Sequence, residues 1–119
     1  MPQITLEHST HFDATDWRAL ALEIHRLCVD TVGATTQACK TRIVRCENLI
    51  IADGDPAQAM VHCDLRILGG RTQEQKTALG EAVQAALLAG VAPYQGPRQI
   101  SVEIGNLDRD NYRKTTLGG

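Results

Sequence analysis

Apolar and polar residues alternate from the start of the chain: Ile4 and Leu6 are interleaved with Gln3, Thr5 and Glu7. A period of two sends successive side chains to opposite faces of a strand. The stretch ending near His8 therefore predicts a β-strand buried on one face and polar on the other. Beyond the connection from Ser9 to Phe12 the period changes. Trp17, Leu20, Ala21, Ile24, Leu27, Cys28 and Thr31 fall three and four apart, which is the spacing of an amphipathic helix. Asp13 or Asp16 is placed to cap its start, and Gly33 to end it. Lys40 to Ile51 carries Ile43, Val44, Leu49, Ile50 and Ile51 and predicts one long strand, with room for a bulge or bend near Glu47 and Asn48. Ala52-Asp53-Gly54-Asp55-Pro56 predicts a turn, because Gly and Pro interrupt regular structure and Asp tolerates tight loops.

The second half repeats this order. Val61, Cys63, Leu65 and Ile67 alternate with His62, Asp64 and Arg66, the clearest period of two in the chain. Gly69-Gly70-Arg71 leads into Thr72-Gln73-Glu74-Gln75, a capping-box sequence. The helix it opens carries Leu79, Val83, Ala86 and Leu87 on one face and fades between Gly90 and Pro93. After Pro97, Ile100, Val102 and Ile104 alternate with Ser101 and Glu103 as a last strand, leaving Gly105 to Gly119 as a polar tail.

Two βαβ units follow, one over about residues 2–51 and one over about 58–104, in a single domain spanning 1–119 with a tail at 105–119. The predicted class is α+β, of α/β type: right-handed crossovers place both helices on one face of a four-stranded mixed sheet. The other face gathers Gln3, Thr5, Glu7, His62, Asp64, Arg66, Ser101 and Glu103, a polar set suited to bulk water or to a wet channel between subunits. Two helices over four strands also leave strand edges open, and edges are commonly paired with another chain. An oligomer is expected.

Composition narrows the partners. Aromatics are only 3% of the 119 residues, so the core must be aliphatic, and a net charge of -2 offers no footprint for a nucleic-acid backbone. Nothing approaches the apolar run of a membrane span, and the start lacks the basic and apolar regions of a secretory signal. The cytoplasm is the expected compartment. Cys28, Cys39, Cys46 and Cys63 lack paired metal spacing and are expected to be reduced, partly buried thiols. His25 and Cys28, three residues apart, have no third or fourth ligand. No glycine-rich phosphate loop or zinc spacing argues for a cofactor or a metal, and none is expected.

The candidate chemistry lies at the first residues. If Met1 is removed, Pro2 presents a secondary amine at the head of a strand. An α-amino group has a pKa of about 7.7 to 8, and desolvation or nearby cations lower it by favouring the neutral form. A base held by a rigid sheet near neutral pH is what positioned proton transfer needs.

The Pro2-to-Glu7 start, the duplicated βαβ pattern, the Ala52-Asp53-Gly54 turn, Val61-His62, Gly70-Arg71 and the tail Asn111-Tyr112-Arg113-Lys114 together resemble the 5-carboxymethyl-2-hydroxymuconate Δ-isomerases of the tautomerase superfamily. The resemblance implies a tautomerase-like homotrimer around a central channel, with an amino-terminal proline as catalytic base and no cofactor. It also implies a small carboxylate substrate, a dienol acid from bacterial breakdown of aromatic acids. Pro2 matches the proline. The family's Arg-x-Arg falls on Lys40-Thr41-Arg42, so Arg42 matches while Lys40 replaces an arginine, keeping the charge and losing the planar fork. The family's Gly-Arg falls on Gly70-Arg71. Lys40, Arg42 and Arg71 are thereby expected to hold substrate carboxylates, and Arg71 also precedes a helix N-terminus, which favours anions. Two alternatives stand beside this: another reaction of the superfamily, such as a hydratase-like or dehalogenase-like step on the same proline, or a non-enzymatic oligomeric module that binds an anion or a partner protein.

Overall fold

The computed structural model describes residues 1–118. In chain order its elements are β1 (Gln3–Ser9), α1 (Trp17–Val32), β2 (Lys40–Cys46), β3 (Ala59–Leu68), α2 (Gln73–Gly90) and β4 (Arg98–Leu107), with short 3-10 turns at Thr10–Phe12 and Thr36–Ala38. The four strands form one sheet in the order β2-β1-β3-β4. β1 runs parallel to β2 and antiparallel to β3, and β3 runs parallel to β4, so each βαβ unit supplies one parallel pair. This is the mixed sheet with two helices that the alternation predicts.

Local chemistry accounts for the boundaries. The Asp16 side chain accepts from Ala19 N at the start of α1, and Gly33 ends the helix at φ 70°, a left-handed position that costs glycine little. Thr72 and Gln75 close a reciprocal capping box at the start of α2. The core is aliphatic: Ile4 and Leu6 of β1 and Val61, Cys63, Leu65 and Ile67 of β3 pack beneath Ile24 and Cys28 of α1 and Leu79, Val83 and Leu87 of α2. Among the described residues, no helix is long and apolar enough to cross a membrane.

Two boundaries differ from the sequence reading. β2 stops at Cys46 rather than running to Ile51. Its partner β1 ends at Ser9, which pairs with Cys46, and then winds into the Thr10–Phe12 turn. Leu49, Ile50 and Ile51 thus lie past the last paired residue, and Ile50 is 84% exposed. β4 runs past Ile104 to Leu107, because β3 is long enough to pair with it as far as Leu68 opposite Leu107. The polar tail therefore begins after Leu107, not at Gly105.

The face away from the helices is polar, as predicted, and its groups pair both across strands and along one strand. His62 Nδ1 lies 2.7 Å from Ser101 Oγ, and Arg66 Nε lies 3.5 Å from Asp64 Oδ2. At the β2 edge Ile43 and Val44 are each 40% exposed. An edge strand left open in this way, with two apolar side chains exposed, is a template for pairing with another chain.

Candidate active site

Pro2 leads directly into β1, an interior strand of the sheet. Its carbonyl accepts from Lys40 N at 3.2 Å, which fastens the start of β1 to the start of β2. The Pro2 ring is fully buried. Strand register then sorts the neighbours. Gln3 stands opposite Lys40 and Thr5 opposite Arg42, so Lys40 and Arg42 share the polar face with Gln3, whereas the buried Ile4 faces the helices.

The chain's amino group is carried by Met1. Its pKa is lowered, first by burial and then by the positive charges of Arg71, Lys40 and Lys114, while Cys39 acts in the opposite direction. Three cations thus stand near enough to the chain start to disfavour a protonated amine there.

The expected site residues separate. Lys40 lies beside the amine and donates from Nζ to Ala38 O at 2.7 Å. Arg71 also acts on the amine but is not a loose turn residue. Its Nε donates to Val32 O at 3.1 Å and its Nη1 to Leu68 O at 3.5 Å, so it ties the last turn of α1 to the end of β3. Gly70, at φ 112°, makes the turn that aims it there. At the start of α2, Thr72 N and Gln75 N are bonded by the capping box itself, which leaves the helix terminus less open to an anion than expected. Arg42 stands one step further out, its Nη2 donating to Gln3 Oε1 at 2.9 Å, and it is not among the charges that lower the amine's pKa.

Sequence reading missed three contributors. Gln3 Nε2 donates to the Tyr112 hydroxyl at 3.0 Å, so the residues after β4 fold back to the head of β1. Arg109 donates to Gly69 O through two nitrogens, fixing the same segment beside the Gly70 turn. Lys114 follows and adds the third cation. The sequence signal for Tyr112 and Lys114 was their place in the motif Asn111-Tyr112-Arg113-Lys114, and Arg109 had none.

Cys39 is buried next to this cluster, its thiol reaching Thr35 O at 3.5 Å and touching the Cys28 thiol. Burial pushes the Cys28 thiol up to about 12, so it is no nucleophile near neutral pH. His25 Nε2 lies 2.7 Å from Thr41 Oγ1, and burial lowers its pKa. Among the described residues no three His, Cys, Asp or Glu side chains stand where they could hold a metal ion. Surface cavities of about 180, 380 and 260 Å³ are lined by residues other than Pro2, Lys40, Arg42 and Arg71.

The arrangement can lower the basicity of a strand-mounted amine and attract an anion to it. Comparison with known proteins places the chain in a family. The profile of the family described as 5-carboxymethyl-2-hydroxymuconate isomerase matches residues 2–117. Comparison with curated protein sequences finds no significant match. Among solved structures, a 5-carboxymethyl-2-hydroxymuconate isomerase from Deinococcus radiodurans R1 superposes with a TM-score of 0.84 at 23% identity, covering 98% of this chain and 90% of that one. A macrophage migration inhibitory factor-like protein from Entamoeba histolytica gives 0.68 at 14% identity over 96% and 95% of the two chains. A protein described as a fused 4-OT wild type symmetric trimer gives 0.74 at 13% identity over 92% and 90%. At these identities the structural likeness establishes the fold.

Proposed function

The chain belongs to the 5-carboxymethyl-2-hydroxymuconate isomerase family and is an isomerase; from that premise we propose that it converts a 2-hydroxymuconate-type dienol acid to its 2-oxo isomer, with Pro2 as general base and acid. The observation that carries the proposal is the place of Pro2, buried at the head of the interior strand β1 with its carbonyl fastened to Lys40 N at 3.2 Å, next to a Met1 amine whose pKa is lowered by burial and by Arg71, Lys40 and Lys114. Once Met1 is removed, the basic nitrogen is that of Pro2. Its neutral form takes the proton of the substrate's enol hydroxyl, and the electrons move through the conjugated system to a distal carbon. The Pro2 ammonium returns the proton to that carbon. Substrate and product are isomers, and the base is regenerated.

Lys40 and Arg71 hold a substrate carboxylate and stabilise the negative charge of the dienolate, a contribution greatest in a site sheltered from water. Arg42, linked through Gln3, stands ready for a more distant carboxylate. With Met1 retained, Pro2 nitrogen is part of an amide and has no basic lone pair. That form is inactive.

The working assembly in this proposal is a homotrimer. What supports it is the open β2 edge, with Ile43 and Val44 each 40% exposed, and the polar face of the sheet. Light scattering at micromolar concentration measures it, and a monomer would refute it. The mechanism is tested by intact mass together with an enol-to-ketone absorbance assay. The processed protein should be active, and acylating its amino terminus should abolish turnover. Pro2→Ala, which leaves a primary amine, should retain part of the activity. Full activity in an acylated or Met1-retaining protein would overturn the proposal.

A further inference from the structure

We propose that Tyr112 donates a hydrogen bond from its phenolic hydroxyl to the substrate oxygen that Pro2 deprotonates, and that Gln3 is the positioning residue that keeps that proton free for the purpose. This rests on the reading of Pro2 as the base, and it adds two residues to its site.

The direction of the chain Arg42 to Gln3 to Tyr112 is fixed by chemistry. A guanidinium has donors and no acceptor, so the Gln3 atom that faces Arg42 Nη2 at 2.9 Å is the carbonyl oxygen Oε1. The amide NH2 is thereby turned toward Tyr112, and Nε2 donates to the phenolic oxygen at 3.0 Å. Flipping the amide would set its NH2 against the guanidinium, donor to donor. Tyr112 is therefore held as an acceptor. Its own proton is not used in that bond, and among the described residues it meets no acceptor.

The phenol is also seated. Arg109 Nε donates to Gly69 O at 3.2 Å, and Asn111 N closes a turn on Asp108 O at 3.0 Å just before Tyr112. Gln3 and Tyr112 are half-buried, whereas the Arg42 end of the chain lies in water. A charge at one end of a hydrogen-bond chain polarises the links beyond it, more so where water is scarce. Arg42, which is not among the charges acting on the chain's amino group, thus acts through Gln3 on the phenol.

Placement supplies the acceptor. An oxygen that gives its proton to the Pro2 nitrogen must come within hydrogen-bonding distance of it. Gln3 is the next residue along the strand and stands opposite Lys40, whose backbone N is bonded to Pro2 O. Once deprotonated, that oxygen carries a charge it lacked as an enol. A donor oriented in advance stabilises the charged form more than the neutral one, a contribution that shows in kcat rather than in KM.

The test compares wild type, Tyr112→Phe, Gln3→Glu and the double variant, all with Met1 removed. The enol absorbance assay gives kcat and KM on the pH plateau. Two unreactive probes, 4-nitrophenolate and nitrobenzene, present an oxyanion and a neutral ring of similar shape and are titrated alongside. Tyr112→Phe should lower kcat about tenfold to a hundredfold, the effect of one hydrogen bond to a charge, with KM nearly unchanged. It should weaken 4-nitrophenolate and leave nitrobenzene as before. In Gln3→Glu the new carboxylate accepts from Arg42 and takes the phenolic proton as well, so adding Tyr112→Phe to it should cost nothing further. Unchanged kcat in Tyr112→Phe, even with a lowered melting temperature, would overturn the proposal. So would a loss confined to KM, the full Tyr112→Phe loss persisting in the Gln3→Glu background, or a wild type that binds the two probes alike. The probes decide the matter even where no dienol is turned over. Turnover that survives acylation of the amino terminus, with the Tyr112→Phe losses intact, would overturn Pro2 as the base and leave Tyr112 as the oxyanion donor; turnover abolished by acylation with kcat unchanged in Tyr112→Phe would overturn only the Tyr112 assignment.

Discussion

Arg71 is asked to do two things at once, and replacing it separates them. Its Nε bond to Val32 O at 3.1 Å holds the last turn of α1, and the longer Nη1 contact to Leu68 O, at 3.5 Å, is marginal. Counting the first as one net hydrogen bond, partly replaced by water because the side chain is only half-buried, Arg71→Ala should cost about 1 kcal/mol of stability. For a domain of this size that lowers Tm by roughly 3 to 5 °C. The same substitution removes the largest positive charge effect on the amino terminus, so the amine's pKa should rise toward its ordinary value of 8.0. If Arg71 also grips a carboxylate, kcat/KM should fall by about tenfold to a hundredfold, the value of a charged hydrogen bond of roughly 1.5 to 3 kcal/mol. Circular-dichroism melting reads the first effect, the pH dependence of amine acylation the second, and the enol absorbance assay the third. Arg71→Lys keeps the charge and should leave the amine's pKa low while losing part of the melting temperature. An Arg71→Ala protein that melts with wild type and titrates with wild type would show that the guanidinium neither ties the helix nor reaches the amine.

Lys40→Arg should raise turnover of 5-carboxymethyl-2-hydroxymuconate if lysine is a weaker clamp and lower it if lysine suits a differently shaped acid; identical kinetics in wild type, Lys40→Arg and Lys40→Ala would remove this side chain from the site. Of the four cysteines, only Cys46 is not buried, so brief alkylation at pH 8 should label one thiol in the folded protein and all four in urea. Rapid native labelling of Cys28 or Cys63, both pushed up to about 12, would contradict the packing. The amino group and His25 both have lowered pKa values in the fold, so the folded state binds fewer protons than the unfolded one in their titration windows. Stability should therefore fall as pH drops from about 8 through the amine's lowered value and again below about 6.5 for His25, and a urea midpoint that rose on acidification across these windows would reverse the sign.

The sheet was largely legible because a period of two encodes both strand and face. β3 is the clearest case, with Val61, Cys63, Leu65 and Ile67 all buried and His62 and Asp64 on the other side. What sequence could not fix was where pairing stops. Leu49 to Ile51 look as strand-like as Ile43 and Val44, but ladder bonds need a partner, and β1 has turned away after Ser9. Gly105 and Asn106 look like tail, yet the ladder with β3 uses only their backbone. The site was legible in the same partial way. Pro2 and the cations at 40 and 71 sit beside regular elements whose register is predictable. The bond from Arg71 to Val32, across 39 positions, and the return of Tyr112 to Gln3, across 109, are tertiary events with no local signature.

The one-sided charge of the site has a kinetic consequence. Burial and three cations push the Met1 amine toward its neutral form, and the same cations should act on the Pro2 amine once Met1 is removed, making it available as a base but weakening its pull on a proton. A substrate carrying two carboxylates cancels much of that positive charge as it binds. The amine's pKa must then rise, because the cations that opposed protonation are now neutralised by the ligand. The base becomes stronger at the moment its proton acceptor role begins, and the resulting ammonium is stabilised until it returns the proton. The pH profile of kcat/KM reports the free enzyme and that of kcat reports the complex. The limb assigned to Pro2 should therefore lie at higher pH in the kcat profile than in the kcat/KM profile. The gap should narrow for a monoacid substrate and in Lys114→Ala, where fewer charges are cancelled. Coincident limbs for a diacid would mean that the cations do not sense the substrate, and the clustering of Lys40, Arg71 and Lys114 around the chain start would then need a structural explanation.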